Sequence, residues 1–239
     1  MESEPLNKNL LVICGTVIVV CAIIAGAVLY NNNHKASNTV AAGNNNNGQP
    51  AAQAVDIKNV KIAGEPFVGN DNAPVVIALW TDYQCPFCKK TDQDVVSKIY
   101  TDYVKTGKAK IVFKDYVFLG PDSVTAALAG RAVWEVAPDK FFTWSTAMFN
   151  KQDTENGGWG SKADILALTR SLGIDSTKVG QLMDSKAQQY QAAIDADKAE
   201  GLGFGIQGTP GTIIGTTFIN GAQDYSQFKS AIDQVLAGK

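Results

Sequence analysis

Cys85-Pro86-Phe87-Cys88 lies where an apolar, β-prone run, Val75 to Thr81, hands over to a polar, helix-compatible run. No other stretch constrains the chain as strongly. The thiolate is the nucleophile in thiol–disulfide exchange, and a helix N-terminus stabilises it. A cysteine at the N-cap faces backbone N–H groups with no partner inside the helix. Such settings lower a thiol pKa from about 8.5 into the range of about 3.5–7.5.

The elements around the cysteines can be read in order. Gly69-Asn70-Asp71-Asn72-Ala73-Pro74 is a turn cluster, and Val75 to Thr81 a buried strand. Lys89 to Lys105 is predicted helical, with Val95, Val96, Ile99 and Tyr103 on its apolar stripe and Gly107 past its end. Lys110 to Phe118 is again β-prone, so this strand and the first should be parallel in a βαβ unit. A helical block begins at Pro121. Within it, Ser161 with Asp164 reads as a capping box, Asp175 as a helix cap, and Lys186 to Glu200 as a longer helix. Strand character returns at Thr212-Ile213-Ile214 and Thr217-Phe218-Ile219, followed by the turn dipeptide Asn220-Gly221. Asp224 with Gln227 suggests a second capping box, ahead of a last helix with Phe228, Ile232, Val235 and Leu236 on one face.

The 239 residues carry a formal net charge of −2, which argues against a nucleic-acid partner. Residues 1–9 form a short tail, read as cytoplasmic. Residues 10–30 are uncharged and apolar. At about 1.5 Å per residue they can span a bilayer core of about 30 Å, as a single transmembrane anchor in the lipid. A cleaved signal peptide would have an apolar region of roughly 7–15 residues behind a basic start. Here the start carries Glu2, Glu4 and Lys8, which favours an uncleaved anchor, although Ala25-Gly26-Ala27 resembles a cleavage site. Cys14 and Cys21 lie inside the apolar run and read as small packing residues. Residues 31–54, rich in Asn, Ala and Gly, read as a disordered linker, and the folded domain as 55–239. The sole histidine, His34, falls in the linker, so no tetrahedral zinc site is expected and no cofactor beyond a Cys85–Cys88 disulfide.

Asp82-Tyr83-Gln84-Cys85-Pro86-Phe87-Cys88, the helical block, Gly208-Thr209-Pro210 and Phe218-Ile219-Asn220-Gly221-Ala222 together resemble a DsbA-like thiol–disulfide oxidoreductase, from about Val60 onward. The resemblance implies an α/β, thioredoxin-like fold, with a helical insertion at about 121–203 between a βαβ half and a ββα half. It implies Cys85 as nucleophile, Cys88 as resolving cysteine and Pro210 as a cis-proline preceded by Thr209, with Pro86 and Phe87 supporting the site. Two positions depart from the family pattern. Leu79 stands where relatives often carry a buried acid, which leaves Lys114, the match to a buried lysine of relatives, without that partner. Phe87 stands where some relatives have a histidine that helps hold the thiolate. Trp80 and Phe87 are candidates for a peptide groove, whereas Trp134, Phe141, Phe142, Trp144 and Phe149 read as core.

The resulting expectation is a membrane-anchored enzyme that forms disulfides in exported proteins bearing free cysteines. A membrane partner of quinone-linked type would reoxidise it. A disulfide persists in oxidising compartments, so the catalytic domain should lie outside the cytoplasm, at the inner membrane facing the periplasm. The alternatives are a reductase or isomerase of protein disulfides, or a copper-binding module using Cys85 and Cys88 as soft ligands. The copper reading wants a third ligand such as His or Met, but His34 is distant in sequence and Met148 and Met183 have no placed role.

Overall fold

The structure, a computed structural model, describes residues 55–238. The expected anchor at 10–30 and linker at 31–54, with Cys14, Cys21 and His34, lie outside the described residues. Among the described residues no helix is long and apolar enough to cross a membrane.

Five strands form one mixed sheet in the order β1-β3-β2-β4-β5. They are β1 (Phe67–Gly69), β2 (Val75–Thr81), β3 (Ala109–Asp115), β4 (Gly211–Ile214) and β5 (Thr217–Asn220). β2 and β3 run parallel from Val75 opposite Ala109 to Thr81 opposite Asp115. The other three pairings are antiparallel. β2 is uncharged and largely β-branched or aliphatic, as befits a central strand covered on both faces. The βαβ unit, the helical block, the hairpin and the last helix follow the expected order. β1 is an addition. Its Gly69 has φ +116, and a Cβ there would stand 2.8 Å from the Ala109 carbonyl oxygen, so only glycine ends this strand against β3.

The first helix, α1, starts as Pro86–Thr91 and runs on through Asp92–Val96, Ser97–Ile99 and Tyr100–Val104. Two of these segments, Asp92–Val96 and Tyr100–Val104, are π-helical turns. The insertion comprises α2 (Pro121–Val136), a 3-10 turn (Pro138–Lys140), α3 (Phe141–Lys151), α4 (Lys162–Ser171), α5 (Ser176–Ser185) and α6 (Ala187–Gly203). Ser161 and Asp164 form the expected capping box on α4, and Asp175 accepts from the Lys178 N–H to cap α5. The second capping box does not form. Asp224 precedes α7 (Tyr225–Ala237) without a side-chain capping bond, and the Gln227 carboxamide instead donates to the Gln223 side chain at 3.1 Å.

The larger core fills one face of the sheet, beneath α1, α7 and much of the helical block. Phe141, Trp144 and Phe149 are buried in it, with Trp134 and Phe142 packed partly buried against it. Met148 and Met183 are core residues too. Trp80 corrects an expectation. Successive strand residues point to opposite faces, so Trp80 leaves the face of Leu79 and joins Ala78, Phe204 and Ile213 in a second core. Its indole N–H donates to the Asp197 carbonyl at 2.9 Å, and Gly201 lets α6 come close over the ring. Trp80 therefore docks the insertion and lines no groove.

Lys114 faces that second core and does have acid partners, although Leu79 is not one. Its ammonium lies 3.2 Å from Glu65, 3.1 Å from Glu200 and against Asp197. Arg131 of α2 joins the cluster through Glu65 at 2.6 Å, Asp115 at 2.7 Å and Asp197. Burial, aided by the charge of Asp197, pushes Glu65 up, and burial pushes Asp115 up to about 6 against the pull of Arg131.

Candidate active site

The chain turns at the C-terminal end of β2 so that Cys85 becomes the N-cap of α1. Its backbone is extended (φ −78, ψ 119), and Pro86 occupies the first turn, where its missing N–H leaves nothing unsatisfied. The Cys85 carbonyl accepts from the N–H groups of Cys88 at 3.1 Å and Lys89 at 3.2 Å. Its thiol donates to the Thr209 carbonyl at 3.4 Å. The Thr209–Pro210 bond is cis, where the resemblance placed a cis-proline. The structure thus brings together Cys85, Cys88, Pro86, Phe87, Thr209 and Pro210. Phe87 is 61% exposed beside the sulfurs, and both cysteines are free and buried.

The two thiols are electrostatically unlike. The Cys88 thiol donates to the Cys85 sulfur and is the largest cause holding the Cys85 pKa down, at about 6. Burial opposes this, while the Thr209 side chain and the backbone N–H groups of Cys88 and Phe87 add to it. Burial pushes Cys88 up, and so does its partnership with Cys85. One sulfur is thus an accessible-pH thiolate and the other a protonated thiol at neutral pH.

Three polar side chains that sequence reasoning missed hold this turn. Asp82 is buried and accepts from the Ser123 hydroxyl at 2.6 Å and from the backbone N–H groups of Gln84 at 2.9 Å, Phe118 at 3.0 Å and Leu119 at 3.3 Å. Gln152, at the end of α3, donates to the carbonyls of Tyr83 at 2.7 Å and Cys85 at 3.1 Å. Asn156 uses its N–H to reach the Gln84 side chain and its carboxamide to reach the Leu119 carbonyl. Only Asp82 carried a signal, a carboxylate directly after an apolar strand. Lys89 donates to the Gln152 carbonyl, whereas Lys90 pairs with Asp94 on the exposed side of the helix.

A thiolate at a helix N-cap, a buried partner thiol one turn on and a cis-proline loop against the first sulfur define a thioredoxin-fold dithiol site. The family model described as thioredoxin matches residues 61–234. The chain belongs to the DsbA-like thiol–disulfide oxidoreductases of this family. Disulfide bond formation protein D of Bacillus subtilis is 31% identical over 181 residues, covering 74% of this chain and 80% of that protein. The crystal structure of oxidised BdbD from Bacillus subtilis superposes with a TM-score of 0.67 at 31% identity, covering 74% of this chain and 95% of that one. The thiol–disulfide exchange protein alpha-DsbA2 of Wolbachia pipientis gives 0.65 at 26% identity, covering 72% and 88%.

Proposed function

We propose that this oxidoreductase works as a dithiol oxidase, making disulfides in exported proteins from an extracytoplasmic position, anchored to the membrane by residues 10–30. The observation that carries the direction is the contrast between the two thiols. Lowering the Cys85 pKa to about 6 stabilises the reduced enzyme, and a stabilised reduced form makes its disulfide a stronger oxidant. The relatives named for disulfide bond formation point the same way. The apolar run at 10–30 and the need of a disulfide for an oxidising compartment support the location.

In the reaction, a substrate thiolate attacks Cys85 Sγ of the enzyme disulfide, and Cys88 leaves as the thiolate and takes up a proton. A second substrate thiolate attacks the substrate sulfur of this mixed disulfide. The substrate disulfide forms, and Cys85 leaves as its stabilised thiolate. Two electrons now reside on the enzyme dithiol, and a quinone-linked membrane partner removes them. The Thr209 backbone, beside Cys85, is where an extended substrate chain can pair as an added strand.

The test is the redox equilibrium of the Cys85/Cys88 pair against glutathione. A potential near about −120 mV supports the oxidase, and one near about −270 mV sinks it in favour of a reductase.

A further inference from the structure

The geometry points to Gln152 as a positioning residue of the dithiol. Its carboxamide holds the Tyr83 and Cys85 carbonyls so that the first turn of α1 keeps its N–H groups on the Cys85 sulfur. The inference rests on the reading of Cys85 as the working thiolate. Gln152 is 8% exposed, at the end of α3 in the insertion, 67 residues from Cys85. One Nε2 serves two carbonyls of the turn, at 2.7 and 3.1 Å. The Cys85 carbonyl also accepts from the Cys88 and Lys89 N–H groups, so Gln152 is its third donor. Lys89 closes the loop by donating to the Gln152 backbone carbonyl at 3.0 Å. The clasp therefore runs both ways between α1 and the end of α3.

The consequence is electrostatic as well as geometric. A carbonyl oxygen carries the negative end of its dipole, and the Cys85 carbonyl belongs to the same residue as the thiolate. A donor on that oxygen offsets its repulsion of the sulfur charge, and fixing the carbonyl fixes the direction of the N–H groups that bond the sulfur. The Phe87 side chain has no donor to offer, and its ring is largely in solvent. The side chain that reaches this turn with hydrogens comes from the insertion.

Gln152→Met keeps the length and removes both donors. In the full-length chain, titration of the thiolate by its ultraviolet absorbance should show the Cys85 pKa raised. The equilibrium with glutathione should move towards the enzyme disulfide by about threefold to tenfold. Gln152→Glu, which sets a carboxylate against two carbonyls, should move both further the same way. A Gln152→Met protein that is folded and unchanged in both readouts overturns the proposal. For wild-type protein, the Gln152 side-chain amide resonances should shift as Cys85 titrates, and resonances that stay still overturn the proposal without any variant. If wild-type Cys85 itself lacked an acidic thiol, the reading of the site would fail instead, which is a separate result.

Discussion

The Cys85 sulfur stands 3.4 Å from the Thr209 carbonyl oxygen, although 124 residues separate the two in the chain. The site is thus assembled from the end of β2 and the loop before β4, and its two sulfurs face that loop differently. Cys85→Ser should abolish exchange, because a hydroxyl at this position cannot carry the mixed disulfide. Cys88→Ala should leave a substrate with a single free cysteine attached through Cys85, seen as an adduct on non-reducing gels, because the thiol that would displace it in the reverse of the first step is gone. Release of substrate by Cys88→Ala as freely as by wild type would reverse the assignment of roles.

The low Cys85 pKa makes the reduced protein's stability depend on pH. Folding favours the thiolate, so the contribution is complete above about pH 9 and disappears as pH falls through about 6. The oxidised protein has no such group. Between pH 6 and 9 the reduced form should gain on the oxidised form, by well under the roughly 4 kcal/mol of the full shift because solvent screens a partly exposed sulfur. Denaturant titrations of the two forms across this range check it, and parallel curves would contradict it.

Asp92 is a buried carboxyl in the π-helical part of α1 whose pKa burial pushes up to about 6. The Thr146 hydroxyl lies 3.4 Å from one oxygen, and the other has no hydrogen-bond partner among the described residues. The folded state favours the neutral acid, so stability is full below about pH 4 and is lost as pH rises through 6. Asp92→Asn should therefore be more stable than wild type above pH 6, by at most about 3 kcal/mol, and equal to it near pH 4. Urea midpoints at the two pH values decide the matter.

Asp82 offers a test of how the turn is held. Asp82→Ala would strand a buried hydroxyl and three backbone N–H groups that now share one carboxylate. We expect a loss of about 2–4 kcal/mol in unfolding free energy, measured by denaturant titration. Ser123→Ala, which removes one of the four donors and leaves its acceptor satisfied, should cost about 1 kcal/mol.

The parts of this site that were legible in the sequence are the ones written locally. Cys85 to Cys88 sit at a strand-to-helix junction, and Thr209-Pro210 precedes a strand, so each motif declares its own setting. Gln152 and Asn156 act on residues 67 and 72 positions away, and nothing in their neighbourhoods marks them. β1 was invisible because its three residues, Phe67 to Gly69 directly after Pro66, show too little alternation to read. Trp80 was misassigned through parity. Adjacency to the cysteines suggested the active site, but the alternation of β2 had already turned its side chain to the opposite face. Lys114 looked partnerless because its acids lie before β1 and on α6, far from the strand position where one was sought.

Lys114→Met tests that cluster. The substitution leaves Glu65, Asp197 and Glu200 without the ammonium that sits among them, with Arg131 as the remaining cation. Breaking a buried ion pair from one side typically costs about 3–5 kcal/mol. The deficit should shrink in acid, where Glu65 and Asp115, already raised, take up protons. Thermal and chemical unfolding at neutral and acid pH would reveal either that pattern or a pH-independent loss.

Arg131 on α2 and Asp197 on α6 meet Lys114 and Asp115 of β3 in that cluster, and the indole of Trp80 is capped by α6. The block between β3 and β4 is therefore no detachable cassette. Trimming residues 121–203 to a short loop, as a route to a minimal redox domain, would strip α6 from Trp80 and leave the Lys114 ammonium with Glu65 as its one carboxylate, beside the Lys61 carbonyl. The segment that looks like an ornament on a smaller enzyme is what lets a charged lysine sit inside its sheet.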